Sequence, residues 1–323
     1  MKDKIRWGII GPGRIAQKFT KDLSTIEEAE ITAVASRSKA RASEFAAQFS
    51  IEKIYDKYQD LFEDPTIDIV YIATPHSSHS ELSIRALNAG KAVLSEKPSS
   101  LTKPALQEVI SLSKEKNLFY MEGLWSRFNP LINEVYEKIK SGALGQINYL
   151  KADFGFYALD RDEESRILNP KLAGGSLLDI GIYPVFLAYL ILGKPSQIKT
   201  IPKFYKTGAE VQISMLFDYP NAQAVLYSGF VCDTDCTAII AGTKGQLHID
   251  TRWHEPQNYH QICEGNSQEI AHEFIGNGFV YEINEVHTCL KNHQIESQLW
   301  SHQHSLDLME LLDAIRIDAG IEF

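Results

Sequence analysis

The sequence predicts an α/β chain: an N-terminal Rossmann dinucleotide-binding domain, then a C-terminal α+β domain built on a mainly antiparallel, open-faced sheet. Three observations predict it. Short apolar runs alternate with helical spacing through the first part of the chain. A glycine-rich turn, Gly11-Pro12-Gly13-Arg14-Ile15-Ala16, closes the first of those runs. Beyond about residue 122 the alternation gives way to successive strand-like stretches.

Taken in order, 5–10 is a short apolar strand and 14–23 a helix. Residues 31–35 are β-branched and strand-like, and 39–49 have helical spacing. A strand at 67–73, a helix at 80–89, a strand at 92–94, a helix at 103–116 and a strand at 119–121 follow. Strands alternating with helices imply βαβ units and a parallel sheet. Strands that are apolar throughout fit a sheet covered on both faces. The boundary is placed at 122, giving domains 1–122 and 123–323, with the last helix free to pack back on the first domain. In the second domain, 133–141 reads as helix, 146–157 as strand and 176–192 as one long buried helix. Strands at 199–206, 208–217, 222–230, 237–242 and 245–249 are separated by turn signals such as Asp218-Tyr219-Pro220-Asn221. Helices at 279–291 and 305–319 close the chain.

Composition bounds the function. The 323 residues suggest about two domains. Hydrophobic residues at 44% and charged residues at 23% are globular values, so disorder is not the default. A net charge of −10 argues against non-specific binding to nucleic acid or an anionic membrane. The longest apolar stretch, 182–192, is about half the ~20 residues of a membrane helix and contains Pro184. No apolar leader follows Met1, and four cysteines make no disulfide framework, so a cytoplasmic protein is expected. Cys232 and Cys236 have three residues between them, the wrong spacing for a metal or redox pair. His76 and His79 lack a matched third ligand, and no metal is expected.

The glycine turn is G-x-G-x-x-A. Gly11 permits the tight turn, Gly13 lets backbone approach a pyrophosphate, and Ala16 lets helix and strand pack closely. Arg14 and Ile15 open the helix, whose N-terminus offers free N–H groups and a positive dipole end. After the second strand an NAD site usually carries a carboxylate. Here Ser36-Arg37-Ser38-Lys39 has none, and Arg37 can stack on adenine and pair with a 2′-phosphate. The expected cofactor is NADP, with NAD the alternative. Thr74, Pro75, His76 and His79 follow the strand at 67–73, and Glu96-Lys97-Pro98 follows the strand at 92–94. Those strand ends are where an open α/β sheet binds ligands. Pro98 restricts Lys97 to extended backbone and admits a cis bond, so the lysine is aimed.

These residues carry a resemblance to the glucose–fructose oxidoreductase, inositol dehydrogenase and MocA (Gfo/Idh/MocA) family. The G-x-G-x-x-A turn, the T-P-x-x-x-H segment 74–79, the Glu96-Lys97-Pro98 triplet and the segment 174–184, GGSLLDIGIYP, resemble it across essentially the whole chain. Many members have Asp-x-Gly-x-His with histidine as acid/base; here Tyr183 stands at the histidine position, which resembles the dihydrodiol and D-xylose dehydrogenase branch. The segment 121–128, MEGLWSRF, is similar to that branch too. The resemblance implies a substrate pocket holding Trp125 and Arg127, lined by Phe154 or Phe156 and by Phe279. It also places His79 at a helix start near the cofactor.

The residue chemistry agrees. Asp179 and Tyr183, four apart on a helix, share a face. A tyrosine has a pKa of about 10, and a neighbouring Lys97 ammonium would lower it. Tyr183 would then exchange the hydroxyl proton while hydride moves to or from nicotinamide, Lys97 would hold the substrate oxygen, and Asp179 would bind a second hydroxyl or orient Lys97. Arg161, Arg166 and Lys171 read as a solvated basic loop, with an anionic substrate the alternative. His302 and His304 read as a solvated face. The expected activity is an NADP-dependent oxidoreductase acting on a secondary alcohol or carbonyl of a cyclic polyol, an aldopyranose such as D-xylose or a trans-dihydrodiol. The alternative is a catalytically silent NAD(P)-sensing regulatory or scaffold protein. The resemblance further implies a homodimer or homotetramer through the C-terminal sheet.

Overall fold

The computed structural model describes residues 4–322. They form two compact units. One is the chain up to Phe128 with Phe274–Leu306; the other is Asn129–Glu273 with the chain from Asp307 onward.

The first unit begins β1 (Ile5–Ile10), α1 (Arg14–Leu23), β2 (Ala29–Ala35), α2 (Lys39–Phe49), β3 (Lys53–Tyr55) and α3 (Tyr58–Glu63). It continues with β4 (Ile69–Ile72), α4 (His79–Asn88), β5 (Ala92–Glu96), α5 (Lys103–Lys116) and β6 (Tyr120–Gly123). The strands pair in parallel in the order β3-β2-β1-β4-β5-β6. Every residue of β4, β5 and β6 is buried, as a central parallel sheet requires. Strand order reverses between β1 and β4, which makes their carboxyl ends the ligand-binding crevice of this topology. The periodicity missed β3 and α3, which are three and six residues long and too short to show a period.

The second unit contains α6 (Pro130–Lys140), β7 (Ile147–Gly155), α7 (Ile182–Leu192), β8 (Gln197–Phe204), β9 (Glu210–Asp218) and β10 (Gln223–Gly229). Then come β11 (Ala238–Gly242), β12 (Gly245–Ile249), β13 (Asn258–Cys263) and β14 (Asn266–Ala271). Their sheet runs β14-β13-β12-β11-β7-β10-β9-β8, antiparallel except for the parallel β7–β10 pair. The apolar α7 packs over β7 and β10, and residues 182–188 are buried. The other face of the sheet exposes Tyr149, Ile201, Leu216 and Val225. The expected fold class is the one observed.

Two expectations need correction. The long buried helix expected over 176–192 is helical throughout but not α throughout: Leu177–Gly181 is a π-helical segment that runs directly into α7. Pro184 lies in the first turn of α7 and has no N–H to donate, and the π segment before it shifts the hydrogen-bond register by one residue. His302 does not lie on a solvated face. It opens the last helix, α9 (His302–Ala319), is 3% exposed, and its Nε2 is 3.0 Å from the Tyr120 carbonyl. The preceding chain lies along β6, where the Tyr120 N–H donates to the Ile295 carbonyl, so this helix begins already buried.

In the first unit, Asp22 fastens the approach to α8 (Val280–Lys291). Its buried carboxylate accepts the Asn277 N–H, the Asn277 side-chain amide and the Phe279 N–H. Asp22→Ala strands those donors and is expected to cost about 2–3 kcal/mol, read as a lowered denaturation midpoint. An unchanged midpoint would show that the donors find other partners.

Candidate active site

In the first unit the glycine turn is shaped by contact with β4. Gly11 has φ +84°, and a Cβ there would lie 2.8 Å from the Ala73 carbonyl oxygen and 3.0 Å from Thr74 Cγ2. The Gly13 N–H donates to the Gly11 carbonyl at 2.7 Å, and the Gln17 N–H donates to the Gly13 carbonyl at 3.0 Å, so α1 starts directly from the turn. Gly13 is the N-cap and has no side chain to satisfy the first N–H groups. A Cβ on Gly13 would meet nothing closer than 4.0 Å, so its outer side is open. Open donors at a helix start, next to a glycine with free space above it, fit the pyrophosphate of a dinucleotide. A cavity of about 300 Å³ adjoins the turn and is lined by Pro12, Gly13, Arg14, Gln17, Arg41 and Glu44, with Phe45 and Gln48. Ile15 is exposed, and Ala16 is buried against the core.

At the end of β2, Ser36 is buried and its hydroxyl accepts the Ser38 N–H, while Ser38 caps α2 by accepting the Arg41 N–H. Arg37 is exposed. Sequence reading missed Arg41, whose signal was a second arginine one helical turn after Arg37. Thr74 accepts from the Ser78 hydroxyl. His79 is fully buried, with Nε2 2.7 Å from the Thr74 carbonyl and Nδ1 2.8 Å from the Pro98 carbonyl. Its ring lies between the loop after β4 and the turn after β5; burial lowers its pKa, and the neutral imidazole donates to one of the two carbonyls at a time. His76 stands edge-on to it, ring centroids 5.9 Å apart.

Glu96 is buried and accepts the Tyr71 hydroxyl at 2.5 Å. Lys97 beside it is half-buried, and the Lys97–Pro98 bond is cis. Aromatic rings connect this strand end to α8. Tyr71 stacks on Phe19 at 3.7 Å, Phe19 meets Phe279 at 5.8 Å, and Phe279 stacks on Trp125 at 4.9 Å. Phe279 is a core residue at 1% exposure, whereas Trp125 is half-exposed on top of it. Arg127 is buried and donates to the Leu299 carbonyl. Glu282, one turn into α8, is fully buried; burial, then Glu96 and Asp22, raise its pKa well above the carboxylate range.

In the second unit, Asp179 lies on the π turn and is 7% exposed. Arg166 engages it with two donors, at 2.7 and 3.3 Å, so this arginine is not merely solvated. Tyr183 is 6% exposed at the start of α7. Its ring centroid is 5.7 Å from Phe154 and 5.3 Å from His254, and Phe154 stacks on His254 at 4.2 Å. Phe156 instead packs on Phe230 at 5.2 Å, with the Arg161 guanidinium over its face. His254 carried no sequence signal, since it sits in the irregular link between β12 and β13.

The open side of Gly13 makes two substitutions separable. Gly13→Ala is expected to keep the thermal midpoint while weakening nucleotide binding at least about tenfold, because the methyl would fill space only a ligand needs. Gly11→Ala is expected to lower the midpoint as well, since the new Cβ would press on Ala73. Fluorescence titration and thermal unfolding measure both, and equal behaviour of the two variants would sink the distinction.

Residues 5–124 match the family described as "Oxidoreductase family, NAD-binding Rossmann fold", and residues 132–248 match the "GFO/IDH/MocA C-terminal domain". The chain is 33% identical over 335 residues to trans-1,2-dihydrobenzene-1,2-diol dehydrogenase from Mus musculus, covering 99% of this chain and 98% of that one. It is 31% identical, with the same coverage, to the enzyme of that name from Homo sapiens. A 3-ketoreductase from Actinomadura kijaniata, solved with NADP and TDP-benzene, has a TM-score of 0.87 at 26% identity over 98% of both chains. An aldose–aldose oxidoreductase from Caulobacter crescentus has a TM-score of 0.89 at 25% identity over 98% of both. Family sequence, parallel nucleotide-binding sheet and glycine turn thus agree, and the chain belongs to the GFO/IDH/MocA family of oxidoreductases.

Proposed function

We propose that this enzyme is an NADP-linked dehydrogenase or reductase of a cyclic polyol, a trans-dihydrodiol or an aldopyranose such as D-xylose. The observation that carries the reading is the setting of Tyr183, a phenol against Phe154 and His254, four residues after a carboxylate paired with Arg166. An aromatic wall suits a flat ring face, and a carboxylate suits a second hydroxyl. The names of the relatives, a diol dehydrogenase and sugar oxidoreductases, support the substrate class.

When bound, the nicotinamide would donate or accept hydride. The chain's own residues do the rest. The turn from Gly11 to Gly13 and the first N–H groups of α1 hold the pyrophosphate. Ser36, Arg37, Ser38 and Arg41 receive the 2′-phosphate, a preference that the absence of Asp or Glu from 36–39 supports. Thr74, Pro75 and His76 border the nicotinamide end, with His79 holding their loop. Tyr183, as the phenolate, takes the substrate's hydroxyl proton in oxidation and, as the phenol, returns it in reduction. Lys97 is assigned to hold a substrate oxygen, and Asp179 to accept from a substrate hydroxyl. Trp125 offers a half-exposed aromatic face to substrate. The exposed row Tyr149, Ile201, Leu216 and Val225 supports a homodimer or homotetramer built on the second sheet.

Tyr183→Phe tests the proton assignment. It is expected to lower kcat about 10²–10⁴-fold with NADPH affinity unchanged, because only the hydroxyl is lost. Wild-type turnover would remove Tyr183 from the mechanism. The 2′-phosphate assignment is tested by Arg37→Ala and Arg41→Ala, each expected to weaken NADPH by roughly tenfold or more and NADH far less. Parallel titrations with both nucleotides decide it, and equal losses would discard the assignment.

A further inference from the structure

The turn that carries Asp179 is tied to the sheet by an acid to which no catalytic role has been given. Glu210, the first residue of β9, is 1% exposed. Its carboxyl accepts the Ser176 hydroxyl at 2.8 Å and the Leu177 N–H at 2.8 Å, the two groups that open the π turn. The Ser176 hydroxyl is also 2.9 Å from the Ser228 hydroxyl on β10. Glycines permit this closeness on both sides of the turn. A Cβ at Gly175, where φ is +139°, would stand 3.1 Å from the Glu210 carbonyl oxygen, and one at Gly181 would stand 2.7 Å from Ser228 Oγ.

From this geometry we propose that Glu210 is a positioning residue: its carboxylate latches residues 176 and 177 to β9 and thereby fixes where Asp179 and Tyr183 stand. The inference rests on the assignment of proton transfer to Tyr183. Burial pushes the Glu210 carboxyl up to about 7, against the opposing pull of the Leu177 and Ser176 donors. The ionisable side chains on the elements around it are Asp179 on the turn, held by Arg166, Tyr183 and Tyr189 on α7, Tyr227 on β10, and Lys199 and Lys203 on β8. An ionised carboxylate accepts both donors. Once protonated, one of its oxygens becomes a donor, and only one of the two bonds keeps its acceptor unless the Ser176 hydroxyl reverses. The latch is therefore set above neutrality and slackened below it. Glutamine, with one acceptor and one donor, imitates the slack form at every pH.

The test compares full-length wild type, Glu210→Gln, Ser176→Ala and Tyr183→Phe between about pH 5.5 and 9. Turnover is followed with NADP and either D-xylose or a trans-dihydrodiol, NADPH binding by fluorescence, and backbone exchange of the Leu177 amide by hydrogen–deuterium exchange corrected for intrinsic rate. Wild-type kcat is expected to rise with pH through about 7. Glu210→Gln is expected to give a kcat roughly tenfold lower at pH 8 without that limb, NADPH affinity unchanged, and faster Leu177 exchange. Tyr183→Phe loses turnover but keeps Leu177 protected, which separates failure of the latch from failure of the proton assignment. If wild type turns over neither substrate, Leu177 exchange alone decides. Should Glu210→Gln not fold, Ser176→Ala replaces it, with a few-fold loss of kcat and faster exchange expected. Wild-type kcat at pH 8, a persisting limb, or unchanged Leu177 protection in the variant that folds overturns the proposal.

Discussion

The first unit depends on how closely the end of β1 approaches the end of β4. At Gly11 the backbone lies so near the Ala73 carbonyl that any side chain would collide, and the positive φ independently favours glycine. That approach bends the chain into the tight turn closed by Gly13, and the turn sets the direction in which α1 leaves. α1 in turn carries Phe19 onto Tyr71, and Tyr71 reaches Glu96 beside Lys97. One steric constraint at a strand end therefore controls both the open N–H groups and the placement of the lysine's strand. Neither effect depends on a strong individual interaction. Parallel pairing supplies the frame, and the missing Cβ sets the distance.

The second unit solves a different problem. α7 is apolar on every side and must be buried, yet an acid, Asp179, and a phenol, Tyr183, stand at its start. Pro184 removes one donor from the helix ladder, and the π segment before it shifts the register. A π turn is a poor stabiliser by itself, so its donors need fixed acceptors, which Glu210 and Ser228 provide. The Arg166–Asp179 pair belongs to the same logic. The arginine side chain is 45% exposed, so the pair adds little to stability, but two donors fix the orientation of a carboxylate that is nearly buried.

The architecture was legible in the sequence because its main signals are local. Gly11-Pro12-Gly13, the apolar run Ile69–Ile72 and the alternation along β9 each follow from a backbone rule acting within a few residues. What escaped depends on partners distant in the chain. Nothing around Glu210 announces that Ser176 lies against it, and nothing around His254 announces Phe154. His302 reads as surface from its own helix and is buried only because residue 295 pairs with β6. The π turn was hidden for a subtler reason: Pro184 was visible, but whether a helix tolerates proline in its first turn or restarts there depends on what caps the segment before it. Of the aromatic candidates, the sequence named Phe154 and Phe156 alike because alternate residues of a strand end look equivalent, and only packing separates the ring beside Tyr183 from the ring against Phe230.

Charge placement gives the nucleotide-binding unit its direction. A dinucleotide is strongly anionic, whereas the chain carries a net charge of −10. Binding therefore requires that nearby acids be neutralised or saturated rather than merely outnumbered. Burial, with Glu96 and Asp22 beside it, raises the pKa of Glu282 well above that of a free carboxylate. Asp22 is occupied by three donors from the approach to α8, and Glu122 by the Ser99 N–H and the Trp300 indole. At the glycine turn the unsatisfied groups are donors, the first N–H groups of α1, and Arg14 and Arg41 line the adjoining cavity. Glu44 lines it too and would repel a phosphate, so the sign of that cavity depends on two guanidiniums and a helix terminus against one carboxylate. An acidic protein can hold an anionic cofactor on these terms: the buried carboxylates Asp22 and Glu122 are occupied by donors, and the open donors lie at the glycine turn.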